Sequence, residues 1–401
     1  MFYRIVHVLL TLWLRIHLRR LFLRGLHNVP STGPVMFAAN HGNAFLDAVI
    51  LGLTLKRPVW FLTRSDVFKK RWQRYLLNKL NMIPIYRIRD GIDSLENNKE
   101  TFEICTRLMR EGKALLIFSE GNGKPEHRLR PLKKGTARIA FQAASEIGWP
   151  ENFQIIPLGI NYVNHTNFRT EVLLGFGEGI FLNKFRSEFE SNQPQALKAL
   201  THELFQGICD EMIHIPERDQ EPFAGIALAL SRAEKIYPVF GFRFEEEGRL
   251  DHEQQVLSNF LERDSDELRE KLSRFEKRSR ELHIPMHMSP SVPGAARPKS
   301  MLAFLLLAFF PALAGMIFHA LPMTAAFRLT GKVVRDPQFY SSVLLGTGFL
   351  FTLIWYVLWV VVLLVVKPVA LLILIILPLA GYLTLLYPDA MQRQRMRNLK
   401  G

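Results

Sequence analysis

The chain has 401 residues, and its 51 lysines and arginines against 37 aspartates and glutamates give a formal net charge of +14. This length exceeds one ordinary core and predicts two or three folded units. The charge favours an anionic partner, which could be nucleic acid, a phospholipid surface or a phosphorylated substrate. The only two cysteines, Cys105 and Cys209, exclude a disulfide framework, lack metal-ligand spacing and are typical of a reducing compartment.

Residues 1–24 have the pattern of a basic amphipathic helix. Arginine recurs among leucine, valine, isoleucine and tryptophan, and no acidic residue precedes Asp47. We expect this helix to lie in the headgroup layer of a membrane, with its apolar face toward the acyl chains. Arginines inside the segment and the lack of a small-residue cleavage site argue against a signal peptide. An ordinary surface helix is the alternative.

Residues 25–220 alternate between short apolar runs and helical patterns. The runs are GPVMFAA, RPVWFLT, GKALLIFSEG and NFQIIPLGINYV, and flanking Gly or Pro is typical of buried strands. Helical patterns separate them, for example at residues 94–111 and 135–147. The order predicts an α/β domain in which helices flank a mostly parallel sheet.

Residues 221–298 are charged, with many opposite charges three or four positions apart. This pattern predicts a solvated helical insertion, and a surface for a partner is the alternative.

Residues 299–401 predict a membrane domain with two or three transmembrane segments. Three runs lack acidic and basic residues apart from His319, and each is long enough to cross a bilayer: residues 301–327, 339–366 and 368–388. Lys367 and Pro368 predict a hairpin between the last two runs. Pro and Gly in FPALAGM let the first run re-enter, which would place every basic flank on the cytoplasmic side. Three simple spans are the alternative.

The stretch AANHGNAFLDAVI, residues 38–50, places a histidine and an aspartate in apolar surroundings. Six steps of an ideal helix would point His41 and Asp47 apart, so they meet only if the chain bends between them. We expect a strand, a turn at residues 40–43 and a helix capped by Asn43, with Gly42 supplying the bend. Aspartate on one imidazole nitrogen would make the other a general base for a hydroxyl. A helix-capping histidine beside an unrelated aspartate is the alternative.

Segments downstream add a glycine-rich turn and basic side chains. They are NMIPIYRIRDG with Arg87, FSEGNGK with Glu120 and Gly121, and RLRPLKKG with Arg128, Arg130, Lys133 and Lys134. A glycine-rich turn beside Arg and Lys can hold a phosphate through backbone N–H groups and charge-assisted hydrogen bonds. Together with the His–Asp pair, this predicts a phosphorylated alcohol as the nucleophile.

In this order the motifs resemble the PlsC-type glycerolipid acyltransferases, which include 1-acyl-glycerol-3-phosphate and glycerol-3-phosphate acyltransferases. The resemblance covers residues 25–179 and rests on NHGNAFLD, MIPIYRIR, FSEGNGK and IIPLGI. It implies the following roles: His41 as general base, Asp47 as its orienting partner, Arg87 with the Glu120–Gly121 turn as the acceptor-phosphate site, and Pro157 in the wall of the acyl-binding region.

Two departures from the family pattern are visible. Five residues separate His41 from Asp47 where most members have four, a spacing that resembles a subgroup including fungal glycerol-3-phosphate acyltransferases. The usual Phe-Pro-Glu-Gly-Thr-Arg block lacks its arginine here, where Gly123 stands. The replacement candidates are Lys124, Arg128, Arg130 and Lys133. We choose Lys133, because the N-terminus of a helix starting near Gly135 also favours an anion.

The expected reaction is direct acyl transfer to a glycerol-phosphate hydroxyl, with acyl-CoA or acyl carrier protein as co-substrate and neither cofactor nor metal. The expected partners are membrane lipid, the acyl donor and the phosphorylated acceptor, and nucleic acid is not expected because no reading module is recognisable. We expect an integral membrane protein with its catalytic domain at the cytoplasmic face. The alternatives are an acyltransferase for another lysolipid, such as a lyso-aminolipid or lysocardiolipin, and a non-catalytic lipid-binding protein.

Overall fold

The structure is a computed structural model, and it describes residues 2–86, 94–232, 237–238, 240–281, 299–366 and 373–398. The chain divides into two compact units, which we describe separately. The first comprises Met1–His214 and Arg243–Leu250, and the second comprises Ile215–Phe242 and Asp251–Gly401.

A mixed sheet forms the centre of the first unit. Its strands are β1 (Leu18–Arg24), β2 (Val35–Ala39), β3 (Val59–Arg64), β4 (Met82–Ile85), β5 (Ala114–Phe118), β6 (Gln154–Tyr162), β7 (Thr170–Phe176), β8 (Ile180–Phe181) and β9 (Arg243–Glu245). The spatial order is β4-β3-β5-β2-β6-β7-β1-β9, and β8 pairs with β6. β6 runs antiparallel to β7 and β8, whereas the other described pairs are parallel. The predicted mostly parallel sheet is confirmed.

Helices flank this sheet. They are α1 (Phe2–His17), α2 (Ala44–Thr54), α3 (Arg71–Lys79), α4 (Ser94–Arg110), α5 (Gly135–Glu146), α6 (Arg186–Ser191) and α7 (Gln193–Asp210). The four apolar runs of the sequence become β2, β3, β5 and β6. β2 is buried at every position, as expected for a central strand that is covered on both faces. The carboxyl ends of β2, β3 and β5 share one edge of the sheet, where the candidate site lies.

The N-terminal helix is shorter than predicted. α1 ends at His17, and Leu18–Arg24 forms β1, which pairs in parallel with β7. A single helix over residues 1–24 is therefore wrong for its last seven residues. The physical reason is an ion pair that the sequence does not reveal, since Arg20 lies buried in the sheet against Glu171. This arginine side chain lies inside the sheet and is not exposed to lipid headgroups.

α1 itself keeps an apolar outward face. From residue 5 onward, its large exposed apolar side chains are Ile5, Val8, Leu9 and Leu12. Their spacing places them on one side of the helix, while Trp13 and Leu14 are buried against the rest of the unit. This arrangement agrees with a helix at a membrane interface, which stays a prediction.

The charged region 221–298 contains three described helices, α8 (Glu221–Arg232), α9 (Gly248–Glu262) and α10 (Asp266–Glu281). α10 carries ion pairs one turn apart, Lys271 with Glu267 and Arg274 with Glu270, each at 2.6 Å. This is the solvated pattern that the sequence predicts. The region also supplies β9, which pairs with β1 in the sheet, so its purely helical assignment is wrong. Residues 282–298 lie outside the described residues.

The described residues of the C-terminal region form three long helices: α11 (Lys299–Val333), α12 (Tyr340–Val366) and α13 (Ile373–Asn398). Each contains a stretch long and apolar enough to cross a membrane. α11 is one continuous helix with Pro311 and Pro322 inside it, so the predicted re-entrant hairpin at FPALAGM is wrong. The three-span alternative agrees with these helices. The hairpin predicted at Lys367 and Pro368 lies outside the described residues.

The glycine of FPALAGM serves helix packing. A Cβ added to Gly315 would approach the backbone carbonyl of Ala380 in α13 to 2.3 Å. Small residues at such crossings let two membrane helices come close together. Thr384 of α13 also donates a hydrogen bond to the carbonyl of Ala312 at 2.7 Å. The Pro and Gly residues that suggested a break therefore lie in a helix held by its neighbour.

Candidate active site

The loop between β2 and α2 carries the predicted His–Asp pair at the carboxyl edge of the sheet. Asn40 fixes the start of this loop, because its side chain exchanges two hydrogen bonds with the backbone of Ile160 in β6, at 3.1 and 2.7 Å. The next residue, His41, is held on both sides of its backbone. Its N–H donates to Glu120 at 2.8 Å, and its carbonyl accepts the N–H of Lys124 at 2.9 Å.

The structure brings His41 and Asp47 together. The distance from His41 Nδ1 to Asp47 Oδ2 is 2.8 Å. Asp47 is fully buried, whereas the His41 side chain is 16% exposed. This geometry lets Asp47 hold the proton on Nδ1 and turn Nε2 into the basic nitrogen. The His41 ring stacks on Phe118, with 4.0 Å between centroids and 14° between planes, which fixes its orientation.

The buried Asp47 carboxylate accepts further hydrogen bonds. Oδ2 accepts the backbone N–H groups of Gly42 and Asn43, both at 2.9 Å. Oδ1 accepts the hydroxyl of Tyr162 at 2.6 Å. A buried charge needs such partners, because desolvation without them costs several kcal/mol, on the order of the values measured for isolated buried ions. The Asp47 carboxylate therefore holds four groups in place: the His41 ring, the N–H groups of Gly42 and Asn43, and the Tyr162 hydroxyl.

The bend between the pair arises differently from the prediction. Ala44, the first residue of α2, has φ +37°, a conformation that residues with a Cβ rarely adopt. Gly42 is required for space, since a Cβ there would meet the His165 ring at 2.9 Å. Asn43 occupies the predicted cap position, but its side chain makes no capping hydrogen bond. Asp47 bonds to the loop N–H groups in its place.

Tyr162, which belongs to none of the sequence motifs, contacts the predicted pair through Asp47. Burial, followed by the charge and hydrogen bond of Asp47, raises the pKa of Tyr162 well above its usual value, so the phenol keeps its proton and donates. Behind it, burial lowers the pKa of His165 well below its usual value, with a further contribution from His127. Tyr162 is the last residue of β6, which runs parallel to its neighbour β2. The carboxyl ends of parallel strands lie at the same edge of the sheet, and this was the sequence signal that could have placed Tyr162 near His41.

Glu120 points inward. Its Oε1 accepts the His41 N–H, and its Oε2 accepts the Nε–H of Arg130 at 2.7 Å and the Arg130 backbone N–H at 3.2 Å. Burial raises the pKa of Glu120, while Arg130 and these hydrogen bonds act in the opposite direction. Since a carboxylate repels a phosphate, Glu120 would serve an anion site by holding Arg130. Its predicted part in phosphate binding stays a prediction.

The glycine-rich turn places Lys133 near this pair. Gly121 has φ +75°, and a Cβ there would lie 3.4 Å from the Cγ of Lys133. The Lys133 N–H donates to the carbonyl of Ser119 at 2.8 Å, which fixes the backbone, and the residue is exposed. α5 begins two residues later at Gly135. Arg87 lies outside the described residues, so the structure does not place it.

Pro157 lies in another part of the unit. Pro157 in β6 pairs with Ala38 in β2. Ala38 precedes His41 by three residues. Its ring is buried against α7, where a Cβ on Gly207 would meet the Pro157 Cγ at 2.7 Å. The structure therefore shows Pro157 packing against a helix, and its assignment to an acyl-binding wall stays a prediction.

The two thiols do not have the properties of nucleophiles. Burial raises the pKa of Cys105 to about 12. Burial, with the charge of Asp210, raises the pKa of Cys209 to about 11. A thiol with such a pKa is protonated at neutral pH and is a poor nucleophile. Within the described parts of the chain, no three His, Cys, Asp or Glu side chains form a group that could hold a metal ion.

Comparison with known proteins places this site in a recognised segment. Residues 20–161 match a family model described as Acyltransferase. The chain is 28% identical over 150 residues to the chloroplastic 1-acyl-sn-glycerol-3-phosphate acyltransferase BAT2 of Brassica napus, covering 36% of this chain and 40% of that protein. It is 28% identical over 100 residues to glycerol-3-phosphate O-acyltransferase 2 of Saccharomyces cerevisiae, covering 22% of this chain and 14% of that protein.

A solved structure is also similar. The 1-acyl-sn-glycerophosphate (LPA) acyltransferase PlsC from Thermotoga maritima aligns with a TM-score of 0.36 and 16% identity, covering 49% of this chain and 75% of that chain. The chain spans less than half the length of the two curated relatives. His41, Asp47 and Glu120 thus lie inside a segment, residues 20–161, that matches the acyltransferase family model.

Proposed function

We propose that this protein is a membrane-bound O-acyltransferase. It moves a fatty acyl group from an acyl thioester to a hydroxyl of a glycerol-phosphate acceptor, either lysophosphatidate or glycerol 3-phosphate, in phospholipid biosynthesis. The observation that carries the proposal is the 2.8 Å contact between His41 Nδ1 and Asp47 Oδ2 in a segment that matches the acyltransferase family model. The donor is acyl-CoA or acyl carrier protein.

The mechanism follows from the orientation of His41. Asp47 holds the Nδ1 proton, so the Nε2 lone pair takes the proton from the acceptor hydroxyl as its oxygen attacks the thioester carbonyl. The C–O bond forms, the C–S bond breaks, and the imidazolium returns the proton to the departing thiolate. No covalent enzyme intermediate is needed. The N–H groups of Gly42 and Asn43 bond to Asp47, so stabilisation of the oxyanion falls to other donors.

Basic side chains beside His41 support a phosphorylated acceptor. Arg130 is held by Glu120, which also holds the His41 N–H, so one carboxylate links the reacting histidine to a guanidinium. Lys133 lies over the turn at Gly121 and close to the start of α5. Guanidinium, ammonium and a helix N-terminus are the groups that bind phosphate in proteins. We assign Lys133 and Arg87 to the acceptor phosphate.

The catalytic unit is proposed to face the cytoplasm. The chain has no disulfide framework, since Cys105 and Cys209 are its only cysteines, and this agrees with a reducing compartment. A membrane-impermeant amine reagent applied to sealed cells tests the placement. Lys198, exposed on α7, should be modified only after the cells are opened, and modification in intact cells would reverse the assignment.

The first experiment measures acyl transfer by membranes that contain the protein. Wild type and His41→Ala are compared with acyl-CoA as donor, and glycerol 3-phosphate and lysophosphatidate are offered separately. We expect the variant to lose activity by about 10³-fold or more, the upper range for loss of a general base. The exposed His27, replaced in the same way, is the matched control and should retain activity.

Each of three outcomes is informative. Activity that depends on His41 and prefers one acceptor names the reaction. Equal activity in wild type and His41→Ala would refute the catalytic role of the pair. Activity that depends on His41 but is competed by a different lysolipid would move the acceptor to that lipid.

A further inference from the structure

α3 presents large aromatic and apolar side chains to the outside of the first unit. Trp72 is 62% exposed, Tyr75 is 68% exposed and Leu76 is 36% exposed. At 100° per residue these three share one face, while Gln73 and Leu77 turn toward the rest of the unit. None of the nine residues of this helix is buried. So much exposed aromatic surface on one short helix marks an interaction site.

The helix and the residues just before it are strongly basic. Residues 67–86 contain five basic side chains and no acidic one, and all five are exposed: Lys69, Lys70, Arg71, Arg74 and Lys79. The Nζ of Lys79 lies 5.6 Å from the centre of the Tyr75 ring, so cation and aromatic group form one surface. Such a face is complementary to a negative partner that offers apolar depth.

An anionic bilayer has both properties. Its headgroups neutralise Lys and Arg, and Trp and Tyr favour the boundary between headgroups and acyl chains. The described residues also include three helices long and apolar enough to cross a membrane.

The position of α3 gives this surface a consequence for the site. The chain leaves the carboxyl end of β3, makes the turn Ser65–Phe68 and enters α3 at Arg71. β3 lies two strands from β2, and both run in the same direction. α3 therefore begins at the edge of the sheet that holds His41.

We infer that α3, together with the preceding Lys69 and Lys70, is a docking surface for an anionic phospholipid bilayer, additional to the predicted contact of α1. Trp72, Tyr75 and Leu76 enter the interface, and the five basic side chains bind lipid phosphates. The inference goes beyond the proposed reaction and does not depend on acyl transfer.

The test places an environment-sensitive fluorophore on α3 of the full-length protein. Tyr75→Cys is labelled in a Cys209→Ser background, where the remaining Cys105 is fully buried. The matched control is Lys198→Cys on α7, an exposed site of the same unit. Both proteins are reconstituted into vesicles of phosphatidylcholine with about one third phosphatidylglycerol, or of phosphatidylcholine alone, and a brominated lipid serves as quencher.

We expect the label at position 75 to be quenched at least threefold more than the label at position 198 in anionic vesicles. High salt, neutral vesicles and joint replacement of Arg71, Arg74 and Lys79 by serine should each reduce this difference. The label at position 198 reports whether each variant is folded and reconstituted. Equal quenching at both positions in anionic vesicles would overturn the inference.

Repeating the measurement with His41→Ala separates this inference from the proposed function. Quenching that persists in an inactive protein supports membrane docking by α3 alone. Active wild-type protein whose position 75 stays in water refutes the docking surface and leaves the catalytic proposal intact.

Discussion

The loop around His41 and the basic turn beside it differ in how firmly the protein holds their side chains. In the loop, the two oxygens of Asp47 accept bonds from His41, Gly42, Asn43 and Tyr162, and every one of these groups belongs to the same unit. In the turn, Lys133 is exposed and only its backbone is fixed. The comparison indicates that the fold itself orients the reacting group, whereas anion binding relies on long side chains that the substrate must order.

Glu120 connects the two regions, and its replacement tests that connection most severely. Glu120→Gln puts an NH₂ group against the N–H of His41 or the Nε–H of Arg130, so one buried donor loses its acceptor. Such a loss costs about 1–3 kcal/mol, and we expect kcat/KM to fall by roughly 10²-fold. Steady-state kinetics with both acceptors measure it.

The control for Glu120→Gln is Glu126→Gln. The Oε1 of Glu126 lies 3.5 Å from the Nε of Arg130, but Glu120 is the residue whose carboxylate accepts the His41 N–H. We expect a smaller loss, confined to the KM of the acceptor. Equal losses in kcat for both variants would show that the link to His41 has no kinetic importance.

Tyr162→Phe tests the loop alone. It removes the hydroxyl that donates to Asp47 at 2.6 Å and keeps the ring that packs beside His165. A hydrogen bond to a charged group contributes about 1.5–3 kcal/mol, part of which orients His41 through Asp47, so we expect kcat to fall about tenfold. KM should be unchanged. Tyr340→Phe, in the second unit, is the control, and an unchanged kcat in Tyr162→Phe would remove Tyr162 from the site.

The same contrast explains what the sequence could predict. His41 and Asp47 lie six residues apart, and the apolar runs bounded by Gly or Pro are local signals, so the pair and four strands were predictable. Tyr162 reaches Asp47 across 115 positions, through the parallel pairing of β2 with β6. In β1, Arg20 is buried against Glu171, 151 positions away. Contacts between distant positions of the chain leave no periodic pattern in the sequence.

Lys133→Ala tests the region that the substrate must order. The side chain is exposed, and removing it should raise the acceptor KM several-fold while kcat stays within a factor of about two, because it acts in binding and not on the reacting atoms. Lys134→Ala, at the neighbouring exposed position, is the control. An unchanged KM in Lys133→Ala, combined with a raised KM in Lys124→Ala or Arg128→Ala, would move the phosphate ligand to one of those residues.

The buried His17 predicts that the stability of the first unit depends on pH. Of these predictions, this one should affect activity at neutral pH the least. Burial lowers the pKa of His17 to about 4 from 6.5. Between these values the unfolded chain binds a proton that the folded protein does not, so the free energy of unfolding falls as the pH is lowered from 6.5 toward 4. At pH 5 the loss from this residue is about 2 kcal/mol, or about 4–8 °C in melting temperature for a unit of this size.

His17→Phe should remove this part of the pH dependence. The ring still fits edge-on against Phe168, whose centroid lies 5.8 Å from that of His17, but the variant has no group to titrate. Melting temperatures of the detergent-solubilised protein at pH 7 and pH 5 provide the measurement, and the difference between the two pH values is compared among wild type, His17→Phe and the exposed control His27→Phe. Wild type and His27→Phe should lose the same number of degrees and His17→Phe fewer. If the melting temperature falls equally in all three proteins, His17 is protonated in the folded protein at pH 5. Burial at the end of α1 would then not keep His17 neutral, contrary to what the structure implies.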